Sequence, residues 1–515
     1  MILPRRLASV VALVVLAASV AGAQAPPSLM LSRVAYATRK NTAKLEGELK
    51  TQIEAIDREV AEASRLGRTG ELRRLFTKGL SLLAGNGWSA EQEFAASLVL
   101  RTDRVYVDPS RPWVVRLEQI YLPATELKGT LSAHVTLRQR PAPAPGAAAA
   151  QPPAEAVVKD LGTFDGVSRD LRDVPFLMEM NLAGVEPGQY RLRADVAEGS
   201  RPLGTVTLGV AIEKGLDARL ARLEEAAASV AESVRADLRY PADYIRKVNL
   251  GRIPPGAFDL PRELRLAEEA AANSTSGREW FKGRTGDLAR HYHLAPANEV
   301  MPYRLFVPKA YDGSKPFPLV VALHGLGGNE GSFFESYERR LLPLAEKHGY
   351  IVVAPLGYRV DGFYGSAIGT DATARQTANL SEQDVMETLR LVRAQYRVDD
   401  RRIYLMGHSM GGIGTWAIGA KYPEIWAALA PFAGRGSDAA AERVRHIPAV
   451  LVHGDADPTV PVEGSRQMVA ALKKLGGEVE YIEVPGGNHS NVVAPNFEAV
   501  LTFFDKHTRP RPAGR

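Results

Sequence analysis

Around residue 409 the chain reads Gly407-His408-Ser409-Met410-Gly411-Gly412, directly after the apolar run Ile403-Tyr404-Leu405-Met406 and ahead of a helix-compatible segment. A serine flanked by glycines at this spacing, on a turn from strand to helix, has its hydroxyl lifted clear of the sheet. Its backbone is strained, and side chains two residues before and after it would collide across so sharp a bend. The chemistry open to such a serine is nucleophilic attack. A hydroxyl is a poor nucleophile until a base takes its proton, and histidine, with a pKa near ~6.5, suits that task. Candidate partners lie late in the chain, where Val452-His453-Gly454-Asp455-Ala456-Asp457-Pro458 follows one apolar run and Pro485-Gly486-Gly487-Asn488-His489 follows the next. The oxyanion formed on attack needs two backbone N–H donors. Those expected are Met410, just after the serine, and Leu326, in the glycine-rich phrase Leu323-His324-Gly325-Leu326-Gly327-Gly328.

These phrases, with Val460-Pro461 after the second aspartate, resemble the α/β-hydrolase superfamily in its prolyl oligopeptidase-like, dienelactone hydrolase-like and feruloyl or polyhydroxybutyrate esterase-like branches, over residues 300–507. The resemblance implies a triad of Ser409, Asp457 and His489. It prefers Asp457 to Asp455, with Asp457 fixing the His489 tautomer and stabilising the imidazolium. It implies a serine hydrolase that cleaves carboxylic esters through an acyl-enzyme, on a small-molecule or polymer-linked substrate, without a cofactor or metal. A prolyl oligopeptidase-like peptidase is the alternative, although the N-terminal region shows no repeating four-stranded blades. A third reading is a glycan- or partner-binding protein with a passenger hydrolase domain. His324, His408 and His453 are expected to pack or to stabilise turns, and His291 and His293 to decorate the start of the domain.

Other chemistries are excluded by what the chain lacks. It has no cysteine, so disulfides, thiolate metal sites and cysteine nucleophiles do not arise. A dinucleotide fingerprint beginning at Gly325 fails because its third glycine would fall at Glu330, and neither H-E-x-x-H nor a P-loop occurs. The net charge of +5 is scattered rather than gathered in a stripe, which gives no sign of a nucleic-acid partner.

The elements that must position these residues follow from alternating strand and helix patterns beyond Arg290, the mark of a mostly parallel sheet covered on both faces. The apolar runs are 318–323, 351–354, 402–406, 426–431, 449–452 and 479–484. Helices are expected over 381–396, with Ser381 as N-cap, and over 415–421, 464–475 and 497–507. Between them, the long stretch Pro355 to Leu380 is expected to roof the acyl or leaving-group pocket, with Tyr358, Phe363 and Tyr364 on its walls.

At 515 residues the chain exceeds one core, so two or three domains are expected. Arg5-Arg6, the apolar run Leu7 to Val20 and Ala21-Gly22-Ala23 read as a signal peptide over 1–23, giving an exported protein without a stable membrane span. Residues 24–105 read as helical, with Leu45, Leu49, Ile53, Ile56 and Val60 at helical spacing. Short alternating stretches over 106–214 suggest a small immunoglobulin-like β-sandwich, interrupted by a disordered Ala/Pro loop over 141–156. A helical segment and linker over 215–285 carries Leu216, Leu220, Leu223, Ala227, Val230 and Val234. This seam is too short for a sustained coiled coil and is expected to pack within the chain. The α/β-hydrolase domain is expected over 286–507, with a solvated tail over 508–515.

Overall fold

A computed structural model describes residues 29–123, 127, 129–139, 155–168, 171–253, 258–275, 277–366 and 372–510. The expected signal peptide and most of the Ala/Pro loop lie outside the described residues. The chain divides into two compact units, one holding the residues up to Glu225 with Pro241–Glu269, the other holding Ala226–Tyr240 with the residues from Ala270 onward.

The first unit opens with helices α1 (Leu29–Thr42), α2 (Gly47–Arg65), α3 (Thr69–Leu83) and α4 (Ala90–Ser97). The apolar spacing read from the sequence puts Ile53 and Ile56 of α2 in a core with Leu72, Leu75 and Phe76 of α3. Ser89 starts α4 with a capping box, its side chain taking the Gln92 N–H while Gln92 reaches back. Eight strands follow: β1 (Leu98–Thr102), β2 (Tyr106–Val107), β3 (Trp113–Gln119), β4 (Leu131–Gln139), β5 (Ala156–Val167), β6 (Phe176–Met180), β7 (Gly188–Glu198) and β8 (Arg201–Ile212). They form a three-stranded sheet in the order β1-β3-β6 and a five-stranded sheet in the order β2-β8-β7-β4-β5. Leu131, Ala133, Val135 and Leu137 alternate inward along β4, the period-two burial of a strand with one covered face.

Two expectations for this half need correction. Strand structure starts at Leu98, inside the stretch expected to be helical, because the Leu98-Val99-Leu100 run pairs with β3. Ala156, expected at the end of a loop, opens β5 opposite Gln139. The apolar seam from Leu216 is broken between α5 (Leu216–Ala227) and α6 (Glu232–Asn249), and five of its six residues are buried within the chain. Helix α7 (Leu260–Ala272) follows.

The second unit carries β9 (Gly286–Leu294), β10 (Glu299–Val307), β11 (Phe317–Leu323), β12 (Ile351–Pro355), β13 (Val398–His408), β14 (Ala428–Phe432), β15 (Ala449–Gly454) and β16 (Val479–Val484). The sheet order is β16-β15-β14-β13-β11-β12-β10-β9. From β12 through β11, β13, β14 and β15 to β16 every pairing is parallel, and β10 and β9 add an antiparallel edge. Strands β10, β11, β12, β14 and β15 are buried along their whole length, as a sheet sandwiched between two apolar layers requires. The layers are built by α8 (Ser332–Glu335), α9 (Leu341–His348), α10 (Ala372–Gln395), α11 (Met410–Lys421), α12 (Asp438–Val444), α13 (Glu463–Lys474) and α14 (Val493–Lys506). This is the α/β-hydrolase architecture that the motifs imply.

Here too the structure departs from expectation. Helix α10 begins at Ala372, so Ser381 is interior rather than an N-cap. It is fully buried, and its hydroxyl accepts the Tyr364 N–H at 3.1 Å, a tertiary use of the same capping chemistry. The unit is also wider than 286–507. It includes Ala226–Tyr240 and everything from Ala270, and Arg509 is tied into it by reciprocal hydrogen bonds with Arg401 of 2.9 and 2.8 Å.

Candidate active site

Strand β13 ends at His408 and α11 begins at Met410, leaving Ser409 on the turn with φ 58° and ψ −114°. Strain of this kind persists only where surroundings enforce it, and it concentrates at functional sites. The flanking glycines permit the close approach that this turn requires. A Cβ on Gly407 would lie 2.3 Å from the Gly411 carbonyl oxygen, and one on Gly411 would lie 1.9 Å from that of Leu323. The Ser409 N–H is held by the Phe432 carbonyl of the neighbouring strand at 2.9 Å.

The turn after β16 brings His489 to the serine, with Nε2 2.8 Å from Ser409 Oγ. Its Nδ1 is 2.6 Å from Asp457 Oδ2. A carboxylate only accepts, so Nδ1 carries the proton and Nε2 presents its lone pair to the hydroxyl. Asp457 is fully buried at the side chain, whereas His489 is 13% exposed. Burial alone would raise the Asp457 pKa. Hydrogen bonds from His453 and His489 and the backbone N–H of Val460 outweigh that and hold it well below the usual carboxylate range. Asp455, the rival by sequence, is exposed and accepts the Gly486 N–H at 2.6 Å instead.

His453 does more than support a turn. Its Nε2 lies 3.2 Å from the same Oδ2 and 3.0 Å from the Val460 carbonyl, while Nδ1 meets Ser465 Oγ at 2.7 Å. Asp457 Oδ1 accepts the N–H groups of Thr459 and Val460 at 2.8 and 3.0 Å. Both oxygens of the carboxylate are thus anchored, which fixes the orientation of His489.

The Leu323–Gly328 loop passes close over the serine: a Cβ on Gly325 would lie 3.5 Å from Ser409 Cβ. The Gly327 N–H is taken by the Val360 carbonyl at 2.8 Å and that of Gly328 by Gly325 at 2.9 Å. Among the described residues the Leu326 N–H meets no acceptor, and Met410, as the first helical residue, has no intrahelical one. His324 steadies the loop from beneath, its ring nitrogens 2.8 and 2.7 Å from the carbonyls of Gly325 and Leu356.

The three aromatics read as pocket walls separate. Tyr364 is fully buried in the core, its hydroxyl donating to the His324 carbonyl at 3.2 Å, and its ring fills space left by Gly357 and Gly414. It is not a wall. Tyr358 and Phe363 are only partly buried, both at positive φ. Tyr358 is fixed by its N–H, which donates to Asp384 at 2.6 Å, and by Arg359, which stacks on the ring at 3.8 Å while gripping Glu299 at 2.9 and 3.0 Å.

His291 also needs correction. It is buried, stacks on Tyr240 and meets Asp237 through both its N–H, at 2.7 Å, and Nδ1, at 3.2 Å. His293 is exposed and contacts Asn298. Sequence reasoning passed over Asp237 and Asp384, since a lone aspartate in a helical pattern carries no local sign of burial. Among the described residues no cluster of metal-ligating side chains occurs.

Two family models match overlapping parts of the second unit. The one described as "Putative esterase" matches residues 296–449, and the prolyl oligopeptidase family matches 437–511. The first span holds the glycine loop and the serine; the second holds Asp457 and His489. A feruloyl esterase B from Neurospora crassa is 30% identical over 116 residues, 22% of this chain and 38% of that protein. A bifunctional acetylxylan esterase/xylanase from Neocallimastix patriciarum is 28% identical over 141 residues, 27% of this chain and 19% of that protein. A "Probable dipeptidyl-peptidase 5" from Emericella nidulans is 26% identical over 219 residues, 35% of this chain and 30% of that protein. The chain thus spans between 19% and 38% of the length of these relatives.

Proposed function

We propose that this chain, whose second unit has the α/β-hydrolase fold, is an exported serine hydrolase that cleaves carboxylic esters through an acyl-enzyme. The observation that carries the reading is the continuous line Ser409 Oγ, His489 Nε2, His489 Nδ1, Asp457 Oδ2, with spacings of 2.8 and 2.6 Å. In this mechanism His489 takes the Ser409 proton as Oγ attacks the ester carbonyl, and Asp457 stabilises the imidazolium. The tetrahedral oxyanion is received by the N–H groups of Leu326 and Met410. His489 then protonates the leaving alcohol, and a water activated by the same imidazole releases the acid. The substrate is a small-molecule or polymer-linked ester. The likeness to a feruloyl esterase and an acetylxylan esterase supports an acyl group carried on polysaccharide. Export rests on the charged, apolar and small-residue succession over 1–23.

A serine peptidase is the second reading, favoured by the prolyl oligopeptidase family match over 437–511. Short p-nitrophenyl esters compared with peptide p-nitroanilides separate the two, with Ser409→Ala as control. Ester turnover well above anilide turnover is the expected result. Turnover of anilides alone overturns the esterase reading.

A further inference from the structure

The nucleophile and the base follow strands that the sheet does not pair directly. Ser409 follows β13 and His489 follows β16, with β14 and β15 between them. General-base catalysis needs the two within ~2.6–3.2 Å. The turn that carries His489 bonds chiefly to itself, through Gly487 N–H to Val484 and the Asn488–Asn491 side-chain turn, and to the adjoining turn after β15.

Besides the Ser409–His489 contact itself, a backbone contact crosses the gap. His408, the last residue of β13 and the neighbour of the nucleophile, places Nε2 2.8 Å from the His489 carbonyl oxygen. A carbonyl only accepts, so Nε2 must carry the proton. Burial, aided by His489, pushes the His408 pKa down to about 3, so the ring is neutral and Nδ1 is bare. Tyr337 meets that bare nitrogen with its hydroxyl at 2.9 Å and must donate to it. The tyrosine ring stands edge-on to His408 at 5.6 Å and packs on Phe333 and Phe497. It is delivered there by an unusual backbone: Tyr337, Glu338 and Arg339 have successive φ values of 51°, 58° and 55°. Three consecutive non-glycine residues in the left-handed region are strained and persist only where the surroundings over-determine them.

We infer that Tyr337 and His408 are positioning residues for the base: the tyrosine hydroxyl selects the Nε2–H tautomer of His408, and His408 then holds the His489 backbone at hydrogen-bonding distance from Ser409. Without the tyrosine proton, the imidazole can turn a lone pair toward the His489 carbonyl, and the turn is repelled instead of held. Both residues act through the His489 backbone, so the effect falls on turnover rather than on binding. This inference rests on the hydrolase reading above.

The test is the kinetics of Tyr337→Phe, His408→Ala and His408→Gln on a p-nitrophenyl ester, with circular dichroism to show that each is folded. His408→Ala should lower kcat about 10- to 100-fold, the scale set by a displacement near 1 Å, with KM within about twofold. Tyr337→Phe, which removes one oxygen and keeps the packing, should lower kcat about 3- to 10-fold on the same argument. Glutamine can offer an N–H where His408 Nε2 stands, so His408→Gln should recover activity over alanine. If wild type hydrolyses the ester while Tyr337→Phe keeps full kcat, if the losses fall in KM, or if glutamine is no better than alanine, the positioning role is wrong and the hydrolase reading stands. A wild type inert on esters removes the esterase reading and this inference with it.

Discussion

Asp237 and Arg290 form an ion pair of 3.1 Å in which the two side chains are 4% and 0% exposed. The carboxylate also accepts from the Trp280 indole at 2.9 Å and from His291, so every charge-bearing atom of Asp237 is occupied. Breaking a buried pair from one side leaves the other charge without compensation, at a cost of about 3–5 kcal/mol. Asp237→Ala should therefore lower the urea stability of the second unit by that amount. A loss under ~1 kcal/mol, the worth of an exposed pair, would show that water reaches Arg290.

The same pair decides where the second unit can be cut. A chain beginning at Asn273 keeps the entire triad but loses Asp237 and exposes Arg290 and His291 to an unfilled site. It should aggregate or melt well below the full chain, whereas one beginning at Ala226 keeps the pair. A fully stable, active chain from Asn273 would contradict this account.

The two aspartates of the 455–457 turn should part company in kinetics. Asp457→Asn leaves the shape of the turn but loses the negative charge that fixes the His489 tautomer, and kcat should fall by ~10⁴-fold. Asp455→Asn, whose exposed carboxylate accepts the Gly486 N–H, should stay within about threefold. Equal losses would mean that the turn, not the charge, matters.

Gly411→Ala introduces a methyl into space held by the Leu323 carbonyl, 1.9 Å away. Backbone must move, and Leu323 leads into the loop that carries Leu326. Activity should fall at least about 100-fold. An alanine variant with wild-type kcat would show that the elbow can relax.

Asp384 predicts a pH dependence of stability. Burial pushes its carboxyl up to about 6, even though Tyr292, the Tyr358 and Gly357 N–H groups and Thr388 hydrogen-bond to it. A folded-state pKa above the unfolded value of ~3.9 favours the protonated fold. That stabilisation is complete below about pH 4 and is lost as pH rises through about 6, about 3 kcal/mol in all. Asp384→Asn should remove this component, so the difference in urea midpoint between wild type and variant should change across pH 4–6. A difference independent of pH would place the carboxyl at its ordinary pKa.

The site was legible where chemistry forces residue types into one contiguous phrase. The elbow glycines, the serine and the glycine loop announce themselves because no other residues fit those turns, and strands β11 to β15 because a doubly covered sheet demands unbroken apolar runs. What escaped reading was set by tertiary neighbours. Ser381 has the look of an N-cap, yet its hydroxyl serves Tyr364 across the fold. Tyr364 looks like a pocket aromatic, yet Gly357 and Gly414 open a slot for it in the core. Tyr337 carries no local signal, since its role exists only through His408. Asp237 lies in a helical pattern of the N-terminal half, and only the folded chain brings it to Arg290.

The most direct measurement is labelling by a fluorophosphonate probe followed by mass analysis of the modified peptide. Wild-type protein should carry one adduct per chain, on Ser409, with Ser409→Ala unlabelled and Asp457→Asn labelled far more slowly. Wild-type protein that resists the probe, or Ser409→Ala labelled as fast as wild type, would contradict the assignment of Ser409, His489 and Asp457 as a working triad.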